Sequence, residues 1–359
     1  LSLSPEKASQ AEASQAKEQP EIGFGIIGLG MIAAKHAQAI KSVPGAKLVA
    51  ALSSDAAKAA DFAARFGGTP YTDLDAFLAD PALQVVNVCV PSGDHARYGV
   101  PAALAGKHVM VEKPIEVSLE AADRLIAASR QAGVKLAVIS QRRFEPDVQK
   151  LKKALDDGLF GQLLSADVFI KWWRTQEYYD SADWRGTYKL DGGGALMNQG
   201  VHYVDVVQWL VGPVKSVRAI TRTAAHKIEV EDLALALLTF ENGAVGLLEA
   251  STLHYPGLPE RLEITGQNGT AVLEAGKFKV WEFKTPGEKV QTDGGPGDSG
   301  AKNPGDISSQ GHAYQIADMV ATLREGRDPA ITGEDGRKPL QIIQAIYQSA
   351  RENREIFLD

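Results

Sequence analysis

The chain has 359 residues, 44% hydrophobic and 23% charged, and carries a formal net charge of −7. That length allows two domains of ordinary size, and the acidic balance argues against a nucleic-acid or anionic-membrane partner, either of which needs a basic patch. No apolar run approaches the roughly 18 residues of a membrane span, and the single cysteine, Cys89, excludes an intramolecular disulfide and a Cys-rich zinc site.

The first 20 residues, rich in Ser, Ala, Gln, Glu and Lys, offer almost nothing to bury and are expected to form a disordered arm. They lack the basic-then-apolar order of an intact signal peptide, so the expectation is a cytoplasmic protein. Strand and helix then alternate. Strands are expected at 22–27, 47–52, 85–90, 108–111 and 135–140. Helices are expected at 31–40, 55–66 (opened by Asp55), 95–105 and 119–132 (capped by Ser118). Cys89 falls in the apolar run VVNVCV and is expected in the core. Alternation at these lengths indicates βαβ units and a parallel sheet, an α/β Rossmann domain over 21–140.

Two glycine motifs overlap. GFGIIG at 23–28 fits G-x-G-x-x-G literally, and GLGMIA at 28–33 fits its G/A variant. The motif holds a pyrophosphate only at a strand-to-helix turn, where backbone N–H groups open the helix. The second match has a strand before it and a helix after it. Gly28, Gly30, Met31, Ile32 and Ala33 are therefore assigned to a dinucleotide, and Gly23 and Gly25 to close packing within a strand. An acid gripping a ribose 2′-hydroxyl should end the second strand. Ser53 and Ser54 stand there instead, and Asp55 reads as a helix cap. Ser53, Ser54 and Lys58 suit a 2′-phosphate, which tilts the expected cofactor from NAD toward NADP.

From about 161 the pattern changes. Strands are expected at 163–174, 214–223, 232–240, 244–253, 261–265 and 270–283, several joined by glycine turns such as ENG (241–243) and QNG (267–269). A long loop follows at 285–306, and helices close the chain at 309–325 and 336–351. The second domain, 141–359, is thus α+β on a large, open, mostly antiparallel sheet. One face shapes a substrate cleft and the other is free for a subunit interface in a homo-oligomer.

Glu112-Lys113-Pro114 follows the strand HVMV, and side chains at the carboxyl ends of parallel strands point into the ligand crevice. Lys113 there can donate to a substrate oxygen, with partial burial lowering its pKa. In DGGGALMNQGVHYVD (191–205), Asn198 and His202 stand four residues apart, a spacing that stacks them on one helix face. Imidazole titrates near neutrality and suits a general acid–base. The glycines before them are expected to let the backbone approach the cleft.

The glycine turn at 28–33, Pro91 with His95, Glu112-Lys113-Pro114 and the run from Gly192 to Asp205 together resemble the Gfo/Idh/MocA sugar oxidoreductases, which include glucose–fructose oxidoreductase and inositol dehydrogenase. The likeness extends over nearly the whole chain from Ile22. It implies a Rossmann domain joined to an open-sheet domain, NAD(P) across the crevice, a carbohydrate substrate, and a homodimer or homotetramer built on the second sheet. The family's catalytic lysine falls on Lys113. Its D-x-x-x-H pattern falls on Asn198 and His202, with the acid replaced by an amide. QRRF (141–144), KWWR (171–174), Tyr178-Tyr179, WRGT (184–187) and ALMNQ (195–199) look like the branch of UDP-N-acetylglucosaminuronate 3-dehydrogenases.

The resulting expectation is oxidation of a secondary alcohol of a sugar or sugar derivative, such as a nucleotide-sugar uronate, by hydride transfer to the nicotinamide. His202 takes the hydroxyl proton while Lys113 holds the same oxygen, and the two can exchange roles. Asn198 orients substrate or Lys113. Glu112, Pro91 and His95 shape the cofactor side. Arg143, Tyr178, Trp184 and Arg185, with Asn198 and His202, meet the substrate, since aromatic planes and guanidinium forks suit sugars and carboxylates. No metal is expected. The amide at 198 should leave the pKa values of Lys113 and His202 lower, favouring oxidation. The same scaffold also serves NAD-assisted glycoside cleavage, a glucose–fructose oxidoreductase-like enzyme with tightly bound cofactor, and a non-catalytic dinucleotide sensor.

Overall fold

The computed structural model describes residues 20–285, 290–292, 299–302 and 308–358. The expected arm before Pro20 and most of the expected loop at 285–306 lie outside the described residues.

β1 (Ile22–Ile27) is buried along its whole length, which is why its sequence is a near-continuous apolar run rather than an alternating one. A Cβ on Gly23 would lie 1.8 Å from the Ala82 carbonyl oxygen, and one on Gly25 would lie 2.6 Å from Phe77 and Leu83. These contacts bear out the assignment of both glycines to packing. There follow α1 (Met31–Ser42), β2 (Ala46–Leu52), α2 (Ala56–Phe66), β3 (Thr69–Tyr71), α3 (Leu74–Leu78), β4 (Val85–Val88), α4 (His95–Leu104), β5 (His108–Val111), α5 (Leu119–Ala132) and β6 (Leu136–Val138). Six parallel strands pair in the order β3-β2-β1-β4-β5-β6. The strand order reverses between β1 and β4, where sheets of this kind open a crevice at their carboxyl ends. Asp55 and Ser118 cap α2 and α5. β3 and α3 are too short to leave a periodic signal in the sequence.

After a 3₁₀ turn (Gln141–Phe144) come α6 (Pro146–Asp156), β7 (Leu163–Lys171) and the short α7 (Gln176–Asp180). A π-helical turn (Ala195–Gly200) then runs straight into α8 (Val201–Val211). β8 (Val214–Arg222), β9 (Leu233–Phe240), β10 (Val245–Ser251), β11 (Arg261–Gly266), β12 (Gly269–Glu274) and β13 (Lys277–Phe283) follow. With β14 (Ile356–Phe357) they form an eight-stranded sheet, β13-β12-β11-β7-β10-β9-β8-β14, antiparallel except between β7 and β10. The single strand expected at 270–283 is a hairpin instead. Ala275 and Gly276 take φ of 48° and 73°, the left-handed pair that a two-residue turn requires. Ala275 stands where Asn, Asp or Gly usually marks such a turn, which hides the break from pattern reading.

One face of this sheet packs on the π-turn and α8. The other leaves Ile220, Leu235, Leu237 and Val245 exposed, Leu237 at 59%. α9 (Gln310–Glu325) returns to the first sheet, burying Ile316, Met319 and Val320 among Ile22, Phe24 and Ile40. α10 (Gly333–Glu352) starts earlier than expected because Thr332 and Asp335 form a capping box. It packs on both α5 and β8, and one buried cluster runs from Val86 and Val111 to Leu238 and Ile264. The two sheets therefore share a core, and packing sets the walls of the crevice between them. Among the described residues no helix is long and apolar enough to cross a membrane.

Candidate active site

The carboxyl ends of β1, β4 and β5 open onto a cleft of about 420 Å³ that also receives the start of α8. Gly28, directly after β1, has φ of 87°, and a Cβ there would meet the Val90 nitrogen at 2.8 Å; only glycine fits. Gly30 precedes α1 with an extended backbone and no side-chain cap, and a Cβ on it would meet nothing within 4 Å. No acid stands in the first turn of α1. The helix thus offers uncapped N–H groups and its positive dipole end to open space, which fits a pyrophosphate. Met31 and Ile32 line the cleft, while Ala33 is fully buried beneath it and serves packing. Ser53 and Lys58 line it too. Ser54 does not: it is exposed outside the cleft. The chain turns there so that Asp55 can accept from Ala57 N (2.9 Å) and Lys58 N (3.1 Å) and cap α2.

Pro91 and His95 line the wall after β4. His95 Nδ1 lies 2.9 Å from the Pro114 carbonyl oxygen and Nε2 3.0 Å from that of Val90, tying the loop after β4 to the loop after β5. Burial lowers its pKa, against the opposing pull of Glu112 and the backbone carbonyls around it. Glu112 lies 2.8 Å from His36 Nε2 and 3.4 Å from His312 Nε2, and Asn87 Nδ2 is 2.8 Å from His36 Nδ1. Burial alone would raise the Glu112 carboxyl, but the His312 and His36 bonds outweigh it and hold it well below the usual range. The ligand atoms of these three residues fall within 4.8 Å of one another, a composition that would suit a metal. The 2.8 Å separation, however, is that of a direct hydrogen bond, shorter than the spacing of two ligands around one ion.

Lys113, Asn198 and His202 all line the cleft, as expected. Lys113 Nζ donates to the Asn198 carbonyl oxygen at 3.1 Å. Burial lowers the lysine's pKa; Glu112 and Asp191 oppose that shift and Arg185 adds to it. His202 is buried and its Nδ1 has no hydrogen-bond partner among the described residues. Burial, with the cations Lys113 and Arg142, drives its pKa well below the ordinary value, so the imidazole is neutral. Burial is the leading cause of both shifts, and the amide at 198 is not among the causes. Nor does that amide stand alone, because its Nδ2 donates to Asp191 Oδ1 at 2.7 Å. A buried carboxylate therefore stands beside it.

The α-helix expected through Asn198 is π-helical over Ala195–Gly200. Glu231 governs how the turn begins. Its carboxylate accepts from Gly194 N (2.9 Å), Leu196 N (2.8 Å) and Tyr347 Oη (3.0 Å), and its carbonyl oxygen accepts from Ala195 N (3.0 Å). Burial pushes this carboxyl up to about 7 against those bonds. A Cβ on Gly193 would meet Tyr347 Oη at 2.1 Å, and one on Gly194 the Glu231 carbonyl oxygen at 1.6 Å. These two glycines admit Glu231 and Tyr347 from the core side. They do not bring the backbone to the cleft, which corrects the expectation from sequence.

Tyr178, Trp184 and Arg185 line the other wall. The Arg185 guanidinium lies 4.4 Å from the Tyr178 ring centroid and 4.6 Å from that of Trp184. Its Nη1 donates to Tyr178 Oη at 2.8 Å, and its buried Nε has no hydrogen-bond partner among the described residues. Arg174 stands 5.4 Å from the same tyrosine ring. Arg143 is a correction. It is buried outside the cleft, its Nε donates to Asp205 Oδ2 at 2.8 Å, and it stacks 5.4 Å from the Trp209 centroid. In that 3₁₀ turn Gln141 reaches the cleft, while Arg142 pairs with Glu145 (2.6 Å) and Glu260 (2.9 Å). Trp172, Arg174, Gln199 and His312 also line the cleft and escaped sequence reasoning. For Trp172 and Arg174 the signal was there, since alternation beyond β7 puts them on one side and turns Trp173 toward Tyr255.

A glycine turn at the topological switch point, an uncapped helix and a lysine at the next strand end define a dinucleotide-dependent oxidoreductase. Residues 22–140 match the oxidoreductase family with an NAD-binding Rossmann fold, and residues 148–272 match the GFO/IDH/MocA C-terminal domain. The chain belongs to the Gfo/Idh/MocA oxidoreductase family. It is 34% identical to the WlbA dehydrogenase from Bordetella pertussis, whose crystal structure holds NADH and UDP-GlcNAcA; the match covers 94% of this chain and 99% of that one, with a TM-score of 0.84. It is 27% identical to a D-apiose dehydrogenase of Paraburkholderia graminis, over 93% of this chain and 88% of that protein. A myo-inositol 2-dehydrogenase of Thermotoga maritima is 26% identical, over 94% and 98%.

Proposed function

We propose that this chain oxidises a secondary alcohol of an anionic sugar derivative, a nucleotide-linked uronate, by hydride transfer to a nicotinamide dinucleotide. The observation that carries this is the charge of the cleft. Beside Lys35 and Lys58, which suit the phosphates of a dinucleotide, Lys113, Arg174 and Arg185 line it, and the carboxylate among the described lining residues, Glu112, is already engaged by two histidines. Arg185, with a buried Nε that lacks a partner among the described residues, is the group a carboxylate or phosphate would engage. The likeness to the Bordetella dehydrogenase, captured with NADH and UDP-GlcNAcA, supports the same substrate class.

The bound dinucleotide supplies the hydride acceptor. Gly28 and Gly30 leave room for its pyrophosphate, and the start of α1 supplies N–H donors. Lys113, with one N–H spent on the Asn198 carbonyl, keeps two for the reacting substrate oxygen and stabilises negative charge there. His202, neutral because it is buried, accepts the hydroxyl proton. Ser53 and Lys58 favour a 2′-phosphate, hence NADP over NAD, because Asp55 is occupied as a helix cap. The exposed apolar face of the second sheet, around Leu235 and Leu237, is the surface proposed to pair subunits in a homodimer or homotetramer.

The test is cofactor reduction with NAD and NADP across free sugars, inositols and nucleotide-linked uronates. Reduction confined to the anionic nucleotide sugars, with the lower KM for NADP, is expected. Equal rates with neutral free sugars would overturn the substrate class. Release of an aglycone without net cofactor reduction would point to glycoside cleavage.

A further inference from the structure

Asp191 lies outside the cleft lining, yet it connects the two working walls. It is buried, with 3% of its surface exposed. Oδ2 accepts from Gly186 N at 2.9 Å, in the turn directly after Arg185. Oδ1 accepts from Asn198 Nδ2 at 2.7 Å. The carbonyl of that same Asn198 holds Lys113 Nζ at 3.1 Å. Thr187 closes the turn from behind, its carbonyl oxygen accepting from Asp191 N (3.2 Å) and Gly192 N (3.1 Å).

Resting on the dehydrogenase reading above, we propose that Asp191 is the positioning residue of the site, its two oxygens fixing at once the Arg185–Gly186 turn that meets substrate and the Asn198 unit that aims Lys113. A buried carboxylate that only capped a turn would satisfy N–H groups of its own loop. This one spends an oxygen on a side-chain amide in the π-turn, next to the carbonyl that Lys113 uses. Its charge also acts on both walls. The charged and titratable groups around Lys113 are Glu112 from its own strand end, Asp191 and Arg185 from the loop before the π-turn, and His202 from α8. Asp191 opposes Arg185 there. Neutralising it removes one of two negative charges that keep Lys113 protonated, so the Lys113 pKa falls further. Asn198, read alone, is a missing carboxylate; with Asp191 it is half of an amide–carboxylate pair that keeps the charge one hydrogen bond away.

The experiment compares the kcat–pH profiles of wild type, Asp191→Asn and the swapped pair Asp191→Asn/Asn198→Asp, each checked for unchanged Tm and dinucleotide affinity. Asp191→Asn is expected to lose roughly 10- to 100-fold in kcat and to move the alkaline limb down by about one pH unit. The swapped pair, which restores the charge, is expected to return the limb to its wild-type position. An unmoved limb in folded Asp191→Asn overturns the proposal. If Asp191→Asn does not fold, Asp191→Glu keeps the charge but displaces it by one methylene, and a wild-type kcat in that variant overturns the positioning role. If wild type reduces no cofactor with any substrate, the dehydrogenase reading fails separately. The proposal is then decided by the pH dependence of Lys113 modification by trinitrobenzenesulfonate, read by peptide mass spectrometry, which needs no turnover: a downward shift in Asp191→Asn supports it and superimposable curves refute it.

Discussion

The cofactor wall and the substrate wall of the cleft are built on different principles. On the first, the contributions follow the strand ends, with Gly28 after β1, Ser53 after β2, Pro91 after β4, and Glu112 and Lys113 after β5, joined by Met31, Ile32, Lys58 and His95 from the helices that come next. A parallel sheet delivers its strand ends to one edge, so order in sequence becomes order in space. The substrate wall gathers Gln141, Trp172, Tyr178, Arg185 and Asn198 from a 3₁₀ turn, a strand extension, a short helix, a loop and a π-turn. Nothing local fixes which side chain of such segments faces the cleft; buried partners do. The lesson is that a motif is legible when one element's geometry sets it, and illegible when a distant carboxylate decides.

Arginines 142, 143 and 185 make that contrast measurable. Arg143→Ala leaves Asp205 buried beside Ser140 with its guanidinium removed, and should cost roughly 3–5 kcal/mol of stability in denaturant unfolding. The KM for substrate should be unchanged in the folded fraction. A raised KM at full stability would return Arg143 to the substrate wall.

The next largest effect concerns Glu231, the acid that starts the π-turn. Its folded pKa of about 7 lies above the ordinary carboxyl value of 4.5. Between those values the folded state holds the extra proton, so stability falls as pH rises through the window, by roughly 3 kcal/mol in all. It is full below pH 4.5 for this group and at its lowest above about pH 7. Glu231→Gln should flatten that slope between about pH 4.5 and 7 in Tm measurements. A wild-type slope in the variant would show that other groups carry it.

Arg185→Ala is expected to raise the KM for a nucleotide-linked uronate roughly 10- to 100-fold, about 1.4–2.7 kcal/mol. The KM for the dinucleotide should stay within about threefold, since Arg185 belongs to the substrate wall. Equal losses for both ligands would erase the division between the walls.

The sequence carried the first sheet almost whole, because its strands are apolar runs and its helices are capped by Asp55 and Ser118. Choosing GLGMIA over GFGIIG succeeded because flanking elements decide where a glycine turn can work, and the packing around Gly23 and Gly25 explains the decoy. The hairpin at Ala275-Gly276 was missed because Ala275 takes a left-handed position usually marked by Asn, Asp or Gly. Of the two serines expected at the cofactor, Ser53 lines the cleft and Ser54 is exposed beside it. Strand-end position and four-residue spacing pointed to Lys113 and His202, and both line the cleft. Asp191 was missed, since nothing in DGGG says that its carboxylate folds back on Asn198.

The central claim is that Lys113, presented by the first sheet, works on a substrate held by the second. The most direct test is the formation of reduced nicotinamide, followed by its near-ultraviolet absorbance, when wild type and Lys113→Ala are mixed with NAD(P) and UDP-N-acetylglucosaminuronate. Turnover by wild type and a loss on the order of a thousandfold in kcat for a folded, cofactor-binding Lys113→Ala is the predicted result. Full turnover in Lys113→Ala would contradict it.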